Sequence, residues 1–553
     1  MLTAIFLLKI STGVYAETDT TLFEKIKESV RLSGSITAEL SYYNVSQIDN
    51  RRDPFMIRVY GSPRISTGHW NIPVHFILGN DQRKYRQQFN KIGASPSYKW
   101  ATFHLGHANL SFSPLVFSGH TILGAGTELT PGNIRFGLLY GRLLRPIEAD
   151  TTLTEIFLPA FARRGMTMKI GYGTHDNFVD LVFLKAKDHV ESAGFDPEEE
   201  NVLPAENAAI GIVTGQRLMK HFFLNANLGL SAYTMDVDAN ESTPDSFRIN
   251  RIPALFLKER ASTQYLTALE SSLEYRQRNY SIRLAYDRIE PEYKTMGIYF
   301  IRNDVERVRL ASRIRLPRLQ LNLSPQLGFE RNNLRQTKRM TQTRFIGGIR
   351  ADYRPNQQWS IHAGLHNFQV RLHQDISATE DTIVLNRVNA SLNGGFTYRK
   401  GTGRKAQLLI FQANYLSGRD RAGDTIQQLV SNLNTRVAWR FHLEAPDLFV
   451  MPAVGFNYFQ LPFVTTTRMH PSVQLNKELL NRKLTAGWSS GVLISFTDGV
   501  VANLVLRNTL SGSYRLTEKQ SVQLRLAHLL NTAAQNQIRF SEMLFDLRYA
   551  YHF

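Results

Sequence analysis

The sequence predicts an all-β fold, a single large, closed, antiparallel β-barrel that spans a membrane. Apolar and polar side chains alternate along much of the chain, and a period of two is the period of a β-strand. Beyond the N-terminus, no apolar run approaches the roughly 18 residues that a spanning helix needs. Short and long connections alternate between residues 141 and 366. A membrane barrel sorts its loops by length in this way, whereas a soluble β-sandwich has no reason to do so.

Residues 305–331 show the repeating unit of the pattern. One face of the first predicted strand is apolar and consists of Val308, Leu310, Ile314 and Leu316. The opposite face is basic and consists of Arg307, Arg309, Arg313 and Arg315. A corner at Pro317 and Arg318 leads into a second alternating strand, which predicts a hairpin. The apolar face of such a sheet can pack on a second sheet, or it can face lipid if the sheet closes and leaves no backbone edge unpaired.

Segments of this kind recur from Leu32 onward, and counting them predicts about 24 strands, between roughly 22 and 26. One of the expected strands covers Tyr98–Leu105. Short connections are expected at residues 130–133, 278–279, 316–318, 355–356 and 516–519. Long polar connections are expected at residues 145–164, 187–207, 236–262, 289–303, 332–340 and 374–382. This alternation favours the closed barrel over the sandwich.

Charge and composition narrow the class of protein further. The chain of 553 residues has 65 Lys and Arg against 47 Asp and Glu, and it lacks cysteine. Without cysteine, disulfides and thiolate metal sites are excluded. An excess of basic residues can indicate nucleic-acid binding, but here they alternate with apolar residues along the strands, so we expect no nucleic-acid partner. The mean hydropathy of −0.25 fits a barrel whose strands each turn one face to a polar lumen.

The N-terminal residues predict export. Residues 1–16 have an apolar core and end in small residues, and they resemble a secretory signal peptide that is cleaved near Ala16. Residues 17–31 form a separate N-terminal segment. Within it, Thr20–Val30 predicts one short amphipathic helix that begins with a capping box. This helix could cover the rim of the barrel or act as a small internal plug. The barrel itself is expected to span residues 32–553.

The last strand carries the most specific sequence signal. Its apolar face consists of Phe545, Leu547, Tyr549, Tyr551 and the terminal Phe553. This strand is similar to the terminal recognition strand of Gram-negative outer-membrane β-barrel proteins. The resemblance implies location in the outer membrane and contact with lipid and lipopolysaccharide. It also implies insertion by the barrel assembly machinery, which would read Tyr549, Tyr551 and Phe553. The large strand number resembles the big barrels of Bacteroidota.

A plug domain is not expected. The 22-stranded TonB-dependent receptors carry an N-terminal plug domain, whereas here the strand pattern begins by Leu32 and leaves no room for one. A wide lumen would then be filled by its own loops, filled by a protein partner, or left open.

A ladder of arginines is the main candidate functional site. The predicted lumen-lining residues are Arg307, Arg309, Arg313, Arg315, Arg344 and Arg350. They could attract anionic solutes or an acidic partner segment. They could instead pair with acidic side chains of the same lumen in a structural network, and the candidates are Glu270, Glu274, Glu330 and Asp352.

Other residue clusters carry weaker signals. His104 and His107 have opposite parity on a strand, so a metal site with His120 is not expected. The acidic residues 191–200 could bind Ca²⁺ or simply form a solvated loop. We find no catalytic triad and no nucleotide or zinc motif, so we expect no cofactor and no enzymatic activity.

The predicted function is a porin-like channel that passes small solutes through a basic lumen. The alternative is a structural subunit of an outer-membrane assembly or secretion complex with a blocked lumen.

Overall fold

A computed structural model describes residues 30–80, 90–148, 159–192, 194–197, 199–242, 249–374, 385–422, 425–533 and 538–553. The predicted signal peptide, and the predicted helix except for Val30, lie outside the described residues. Val30 itself belongs to a β-strand. None of the helices in the described ranges is long and apolar enough to cross a membrane.

The fold is one antiparallel sheet of 29 strand segments. The segments are β1 (Val30–Ser33), β2 (Ser35–Ser46), β3 (Phe55–Gly61), β4 (Arg64–Thr67), β5 (Trp70–Gly79), β6 (Lys91–Ala94), β7 (Ser97–Tyr98), β8 (Ala101–Leu110), β9 (His120–Leu129), β10 (Ile134–Leu144), β11 (Ala162–Gly173), β12 (Phe178–His189), β13 (Glu206–Met219), β14 (Phe222–Thr234), β15 (Thr263–Arg276), β16 (Tyr280–Ile289), β17 (Val305–Leu316), β18 (Leu321–Arg331), β19 (Met340–Tyr353), β20 (Trp359–Gln374), β21 (Leu385–Lys400), β22 (Gln407–Ala422), β23 (Thr425–Leu443), β24 (Leu448–Leu461), β25 (Val464–Leu479), β26 (Leu484–Thr497), β27 (Val500–Arg515), β28 (Gln520–Ala533) and β29 (Phe540–His552). Short 3₁₀ helices lie at Val190–Ser192, Ile249–Phe256, Pro317–Leu319 and Gly403–Lys405.

Three interruptions divide single barrel strands into two segments. Gly34 separates β1 from β2, which pair with β4 and β3 respectively. A Ser-Pro step at residues 62–63 separates β3 from β4, and both pair with β5. A second Ser-Pro step at residues 95–96 separates β6 from β7, and both pair with β5 and β8. In the described part of the chain, the 29 segments therefore form 26 barrel strands.

The first and last strands close the barrel. β2 pairs with β29 over twelve positions, from Ser35 opposite His552 to Ser46 opposite Ser541. The 26 strands are two more than the expected 24 and equal the upper end of the predicted range. The predicted strand Tyr98–Leu105 is confirmed over Ala101–Leu105, which lies in β8, but its start was wrong because Tyr98 belongs to β7. A turn at Lys99 and Trp100 divides it, with Lys99 at a φ of +49°, and neither residue is the glycine, asparagine or proline that usually marks a turn.

The two faces of the sheet differ as a membrane requires. On β17, Val308 and Leu310 lie on the outer face with 42% and 43% of their surface exposed. Arg307, between them, points inward and pairs with the buried Asp287. The exposed band of apolar side chains continues around the barrel, and it is the surface that faces hydrocarbon. The predicted closed, transmembrane, antiparallel barrel is thus the observed architecture.

The two ends of the barrel have different connections. At the end where the described chain starts and finishes, which we call the turn end, the connections are short, for example residues 130–133, 317–320 and 516–519. At the opposite loop end, the connections after β8, β16 and β18 are longer and cover residues 111–119, 290–304 and 332–339. The loop end also has two-residue hairpins at 462–463 and 498–499. The predicted alternation over residues 141–366 is confirmed.

One 3₁₀ helix lies against the outside of the barrel. Ile249–Phe256 contacts β13, β14 and β15 near the loop end. Phe256 meets the outward-facing Phe183 edge to face, with ring centroids 4.7 Å apart. The guanidinium of Arg251 lies 4.8 Å from the ring centroid of Tyr265. Ile249 and Leu255 remain exposed, so this outer helix presents an apolar edge at the membrane boundary.

The orientation of β21 generates a prediction about stability. Leu392 lies on the outer face in the middle of the strand and is 55% exposed. We expect Leu392→Arg to reduce the free energy of unfolding by about 2–4 kcal/mol, because it puts a charge into hydrocarbon. The neighbouring Ser391 points inward, so Ser391→Arg should change the free energy by less than about 0.5 kcal/mol. Denaturant unfolding in lipid vesicles measures both, and equal losses would contradict the assigned faces.

Candidate functional site: the lumen and its inserted loops

Two connections at the loop end fold into the barrel instead of outward. They are residues 111–119, after β8, and residues 290–304, after β16, and we call them the inserted loops. At the tip of the first loop, Leu115, Val116 and Phe117 are almost completely buried. In the second loop, Tyr293 and Met296 are buried to the same degree. An apolar loop tip is costly in water, and inside the barrel these side chains contact an apolar part of the wall.

That part of the wall lies between β8 and β17. On β12, Val182 and Leu184 are fully buried, whereas the alternating residues Val179 and Leu181 are exposed on the outer face. The inner face is therefore the covered one. The first inserted loop packs against Ala108, Ile122, Leu139, Leu143, Val182, Leu184, Ala186 and Ala209. The second packs with Leu115 against Leu266, Ala268, Ile289 and Val305.

Two glycines on the inner wall make room for the loops. A Cβ atom on Gly211 would lie 2.8 Å from Cγ2 of Val116. A Cβ atom on Gly229 would collide with the Tyr293 hydroxyl and would lie 2.9 Å from Cβ of Leu115. Both distances are shorter than real side chains tolerate, so the loops occupy the space that these glycines leave.

A buried asparagine joins the wall to the second inserted loop. Asn207 Oδ1 accepts hydrogen bonds from the backbone N–H of Met296 at 3.0 Å and from Thr295 Oγ1 at 3.1 Å. Asn207 Nδ2 donates to Ser231 Oγ and to the carbonyl of Ala232, both at 2.8 Å. Because Asn207 is fully buried, loss of its partners would leave polar groups without water or protein contacts. The loop is therefore held by polar contacts as well as by packing.

The two inserted loops also bind each other, although about 180 residues separate them. Tyr293 Oη donates to the carbonyl of Leu115 at 2.7 Å. The backbone N–H of Ser118 donates to the carbonyl of Gly297 at 3.1 Å. Burial raises the pKa of the Tyr293 phenol, so the hydroxyl stays protonated and remains a donor at neutral pH. The loops therefore act as one folded unit inside the barrel.

An ion pair anchors this unit to the next connection. Lys338, in residues 332–339, donates to the buried Asp304. The backbone N–H of Leu334 donates to the same carboxylate at 2.9 Å. Burial alone would raise the pKa of Asp304, but these donors outweigh it and hold the pKa below the ordinary value of 3.8. The carboxylate is thus charged at neutral pH and fixes the C-terminal end of the second inserted loop.

The structure places the six predicted ladder arginines on the inner face, and four of them are ion-paired. Arg307 and Arg309 both reach Asp287, each at 2.8 Å. Arg344 lies 3.5 Å from Glu330, and Arg350 lies 3.1 Å from Asp352. Glu330 and Asp352 were among the predicted structural partners, whereas Asp287 was not. Much of the positive charge of the ladder is therefore balanced locally.

Other inner-face arginines are not balanced in this way. Within the described ranges, Arg313 and Arg315 of the ladder make no side-chain hydrogen bond or ion pair. The same is true of four arginines on β23–β28, and these are Arg436, Arg468, Arg507 and Arg525. These four were not predicted as site residues because they lie on four different strands, β23, β25, β27 and β28, and do not form a ladder at every second position. The only signal was their position on the polar face of the alternation.

The side of the lumen that carries these arginines is uncovered and recessed. A cavity of about 720 Å³ lies against the inner face of β22–β26. Its lining includes the polar residues Gln412, Asn414, Asn432, Asn434, Arg436, Asn457, Arg468 and His470. Both buried apolar clusters lie instead between β8 and β17. The described lumen is thus filled on one side and polar and accessible on the other.

The histidines singled out in the sequence have other partners. His104 Nε2 lies 3.3 Å from a carboxylate oxygen of Glu128. The ring of His120 stacks on Tyr299, with centroids 3.7 Å apart. In the described part of the chain, no group of three or more histidine or acidic side chains could hold a metal ion.

The C-terminal strand occupies the closing position, between β28 and β2. Tyr549 lies on the outer face and is partly exposed. The rings of Tyr551 and Phe553 meet edge to face, 5.0 Å apart. The backbone N–H of Phe553 donates to the carbonyl of Gly34 at 3.0 Å, so the terminal residue contacts the first strand.

Comparisons with known proteins give only distant similarities. No protein-family model and no curated protein matches the sequence. The chain is similar to the FrpB iron transporter from Neisseria meningitidis (F5-1 variant, apoprotein form), with 8% identity over 96% of this chain and 82% of that chain and a TM-score of 0.39. It is similar to the copper transporter OprC, with 9% identity over 94% of this chain and 80% of that chain and a TM-score of 0.40. It is also similar to Pseudomonas aeruginosa OccK10 (OpdN), with 13% identity over 65% of this chain and 98% of that chain and a TM-score of 0.33.

The architecture itself defines the class. A closed antiparallel barrel with an apolar outer face, an ionic inner face, short turns at one end and long loops at the other is an outer-membrane β-barrel. The protein is therefore a large transmembrane β-barrel of the outer-membrane type.

The glycine contact at the inner wall predicts how the inserted loops can be released. Gly229→Val should displace Tyr293 and Leu115, because a side chain at this position occupies their space. We expect hydrogen exchange of the backbone amides in residues 290–304 to become about tenfold faster or more. Gly512→Val is the matched control, since a Cβ atom there meets nothing within 4 Å. Unchanged protection in Gly229→Val would show that the loops do not depend on this gap.

The anchor at Asp304 predicts a dependence on pH. Since the folded-state pKa lies below the ordinary 3.8, the carboxylate stabilises the fold fully above the unfolded-state pKa, and this stabilisation is lost as pH falls through the folded-state pKa. The protection of the Leu334 amide, measured as the ratio of the intrinsic exchange rate at the same pH to the observed rate, should therefore fall as the pH falls below about 4. In Asp304→Asn, exchange should be fast at neutral pH and should not respond to acid in this way. A wild-type profile identical to that of the variant would contradict the anchor.

Proposed function

We propose that the protein is a passive outer-membrane channel that passes small solutes along the uncovered side of its lumen and prefers anions. The observation that carries this proposal is the division of the lumen. The inserted loops cover the wall between β8 and β17, while the inner faces of β22–β29 remain polar and bear four arginines that form no ion pair among the described residues. Passage would follow that polar side, because water and charged solutes avoid the apolar clusters.

Charge selection would come from the arginines without acidic partners. Arg307 and Arg309 share the single carboxylate of Asp287, so that carboxylate offsets one of their two positive charges. Arg436, Arg468, Arg507 and Arg525 add positive charges that form no ion pair among the described residues, although Asp546 lies opposite Arg525 on the neighbouring strand. In a lumen with low-dielectric walls, such charges raise the local concentration of anions, and the effect weakens as salt increases. The proposed basic lumen therefore depends mainly on these residues and less on the ladder predicted from the sequence.

The structural alternative also has an observation in its favour. The inserted loops form a folded unit within the lumen, and the outer helix exposes Ile249 and Leu255 by 70% and 75%. A barrel that serves as a subunit of an assembly or secretion complex would use such a filled lumen and such an apolar edge for partner contact. In this case the barrel would not conduct.

The partners proposed for the barrel follow from its apolar outer face and its C-terminal strand. The outer apolar band would contact lipid and, at the loop end, lipopolysaccharide. The barrel assembly machinery would recognise the C-terminal strand through Tyr549, Tyr551 and Phe553, which close the ring against β2. No enzymatic role is proposed.

Conductance in planar bilayers tests the proposal. We expect open-channel current and, under a KCl gradient, a reversal potential that indicates anion preference. Replacing Arg436, Arg468, Arg507 and Arg525 by Gln should reduce the anion-to-cation permeability ratio severalfold, because four positive charges leave the lumen wall. The control is the pair Arg350→Gln with Asp352→Asn, which removes an ion pair without changing net charge and should leave the ratio unchanged.

Two other results of the conductance measurement would each contradict a part of the proposal. A barrel that carries no current would contradict the channel and favour the structural subunit. A cation preference in the wild-type barrel would contradict the basic lumen while leaving passive passage in place.

A further inference from the structure

The cavity on the inner face of β22–β26 has the composition of a ligand site. Its volume of about 720 Å³ falls within the range of roughly 300–1,000 Å³ that small-molecule sites occupy. Positions on neighbouring strands align in rows across it. One row joins Arg436, Gly455 and His470, and the next joins Asn434, Asn457 and Arg468. The recess therefore belongs to the regular sheet, and no mobile loop is needed to form it.

The inward orientation of the recess follows from the residues between these rows. Val437 and Val454 lie one position away, on the opposite face, and are 45% and 56% exposed. Met469, between Arg468 and His470, is exposed on the same outer face. Since the apolar residues face lipid, the amides and arginines of the recess face the lumen.

The asparagines supply donors and acceptors together. Asn457 Nδ2 donates to Asn432 Oδ1 at 2.7 Å and to Asn434 Oδ1 at 2.8 Å. These contacts fix the orientation of the three amides and leave further oxygen and N–H groups facing the cavity. A simple anion needs donors alone, whereas a solute with many hydroxyl groups uses donors and acceptors.

The charge in the recess has one sign. Among the residues that the structure describes, the lining contains Arg436 and Arg468 and no acidic side chain. Neither guanidinium has an ion pair among the described residues. Arginine binds carboxylates through two parallel hydrogen bonds, so an acidic group on the solute would be bound here. Phe459 adds an apolar ring to the lining, against which the C–H face of a sugar can pack.

We propose that this recess binds acidic saccharides, with the carboxylate on Arg436 and Arg468 and the hydroxyl groups on the asparagine amides. This inference builds on the proposed transport function, because a binding site in the lumen would select the solute that passes. Gly455 lies between Arg436 and His470 in one row of the recess, and the absence of its side chain would leave space for the sugar ring.

Equilibrium dialysis of the purified barrel in detergent tests the proposal without requiring conduction. The probe is cellobiouronic acid, a disaccharide with one carboxylate, and it is compared with uncharged cellobiose and with acetate. We expect cellobiouronic acid to bind at least about tenfold more tightly than either comparison compound, because only it uses both the arginines and the amides. Equal binding of cellobiose, equal binding of acetate, or no binding of the probe would overturn the proposal.

Variants of the lining residues test whether the probe binds in the recess. Arg436→Gln with Arg468→Gln should weaken binding of the probe about tenfold or more. Gly455→Phe should abolish it by filling the recess. A Cβ atom at Gly455 meets only ordinary contacts, the nearest at 3.5 Å from His470 Cβ, so the strand can accept the change. Circular dichroism verifies folding of both variants.

A matched control separates the site from the general field of the lumen. Arg313→Gln with Arg315→Gln removes two inner-face arginines that are also unpaired in the described part of the chain but lie outside the recess. Binding should stay within about twofold of wild type, because distant charges act weakly through solvent. An equal loss in both double variants would contradict a local site. A barrel that binds the probe without conducting would contradict only the transport function.

Discussion

The rest of the structure depends on the requirement that every backbone N–H and C=O group within the bilayer has a hydrogen-bond partner inside the protein. The sheet satisfies this requirement by pairing β2 with β29, so no unpaired strand edge is exposed to lipid. Closure also fixes the direction of every side chain, because an outward position must be apolar and an inward position is free to be ionic. The interruptions at Gly34 and at the two Ser-Pro steps all fall in the first strands and do not break the ring.

A ring this wide has a lumen that the inward side chains alone do not fill. The chain fills one side with the inserted loops, which bring their own apolar core. This solution needs complementary features on the wall. Gly211 and Gly229 leave space, and Asn207 supplies the polar contacts. Within the described residues, the other side has no comparable cover, so its arginines and amides stay in contact with water.

The local pattern predicted the barrel well. The alternation of Val308 and Leu310 with Arg307 was enough to assign the two faces, because the period of a strand is a local property. The turn at Lys99 could not be predicted, since its residues do not require a turn. The inward folding of the inserted loops could not be predicted from the sequence for a different reason. An apolar segment such as Leu115–Phe117 folds inward only because glycines about 100 residues later accept it, and one sequence does not display that match. The pairing of Arg307 with Asp287 joins neighbouring strands, and its prediction requires the strand register across the connection at residues 290–304.

The unequal lengths of the connections at the loop end give the barrel an oblique mouth. Above β24–β27 the strands end in two-residue hairpins, and Phe463 at one tip is 95% exposed. Above β8–β19 the longer connections stand over the filled side or fold into it. A molecule that approaches the loop end therefore has a less obstructed line of entry over the short hairpins, where steric screening is smallest. The geometry of the rim, and not only the chemistry of the wall, sets the direction of approach.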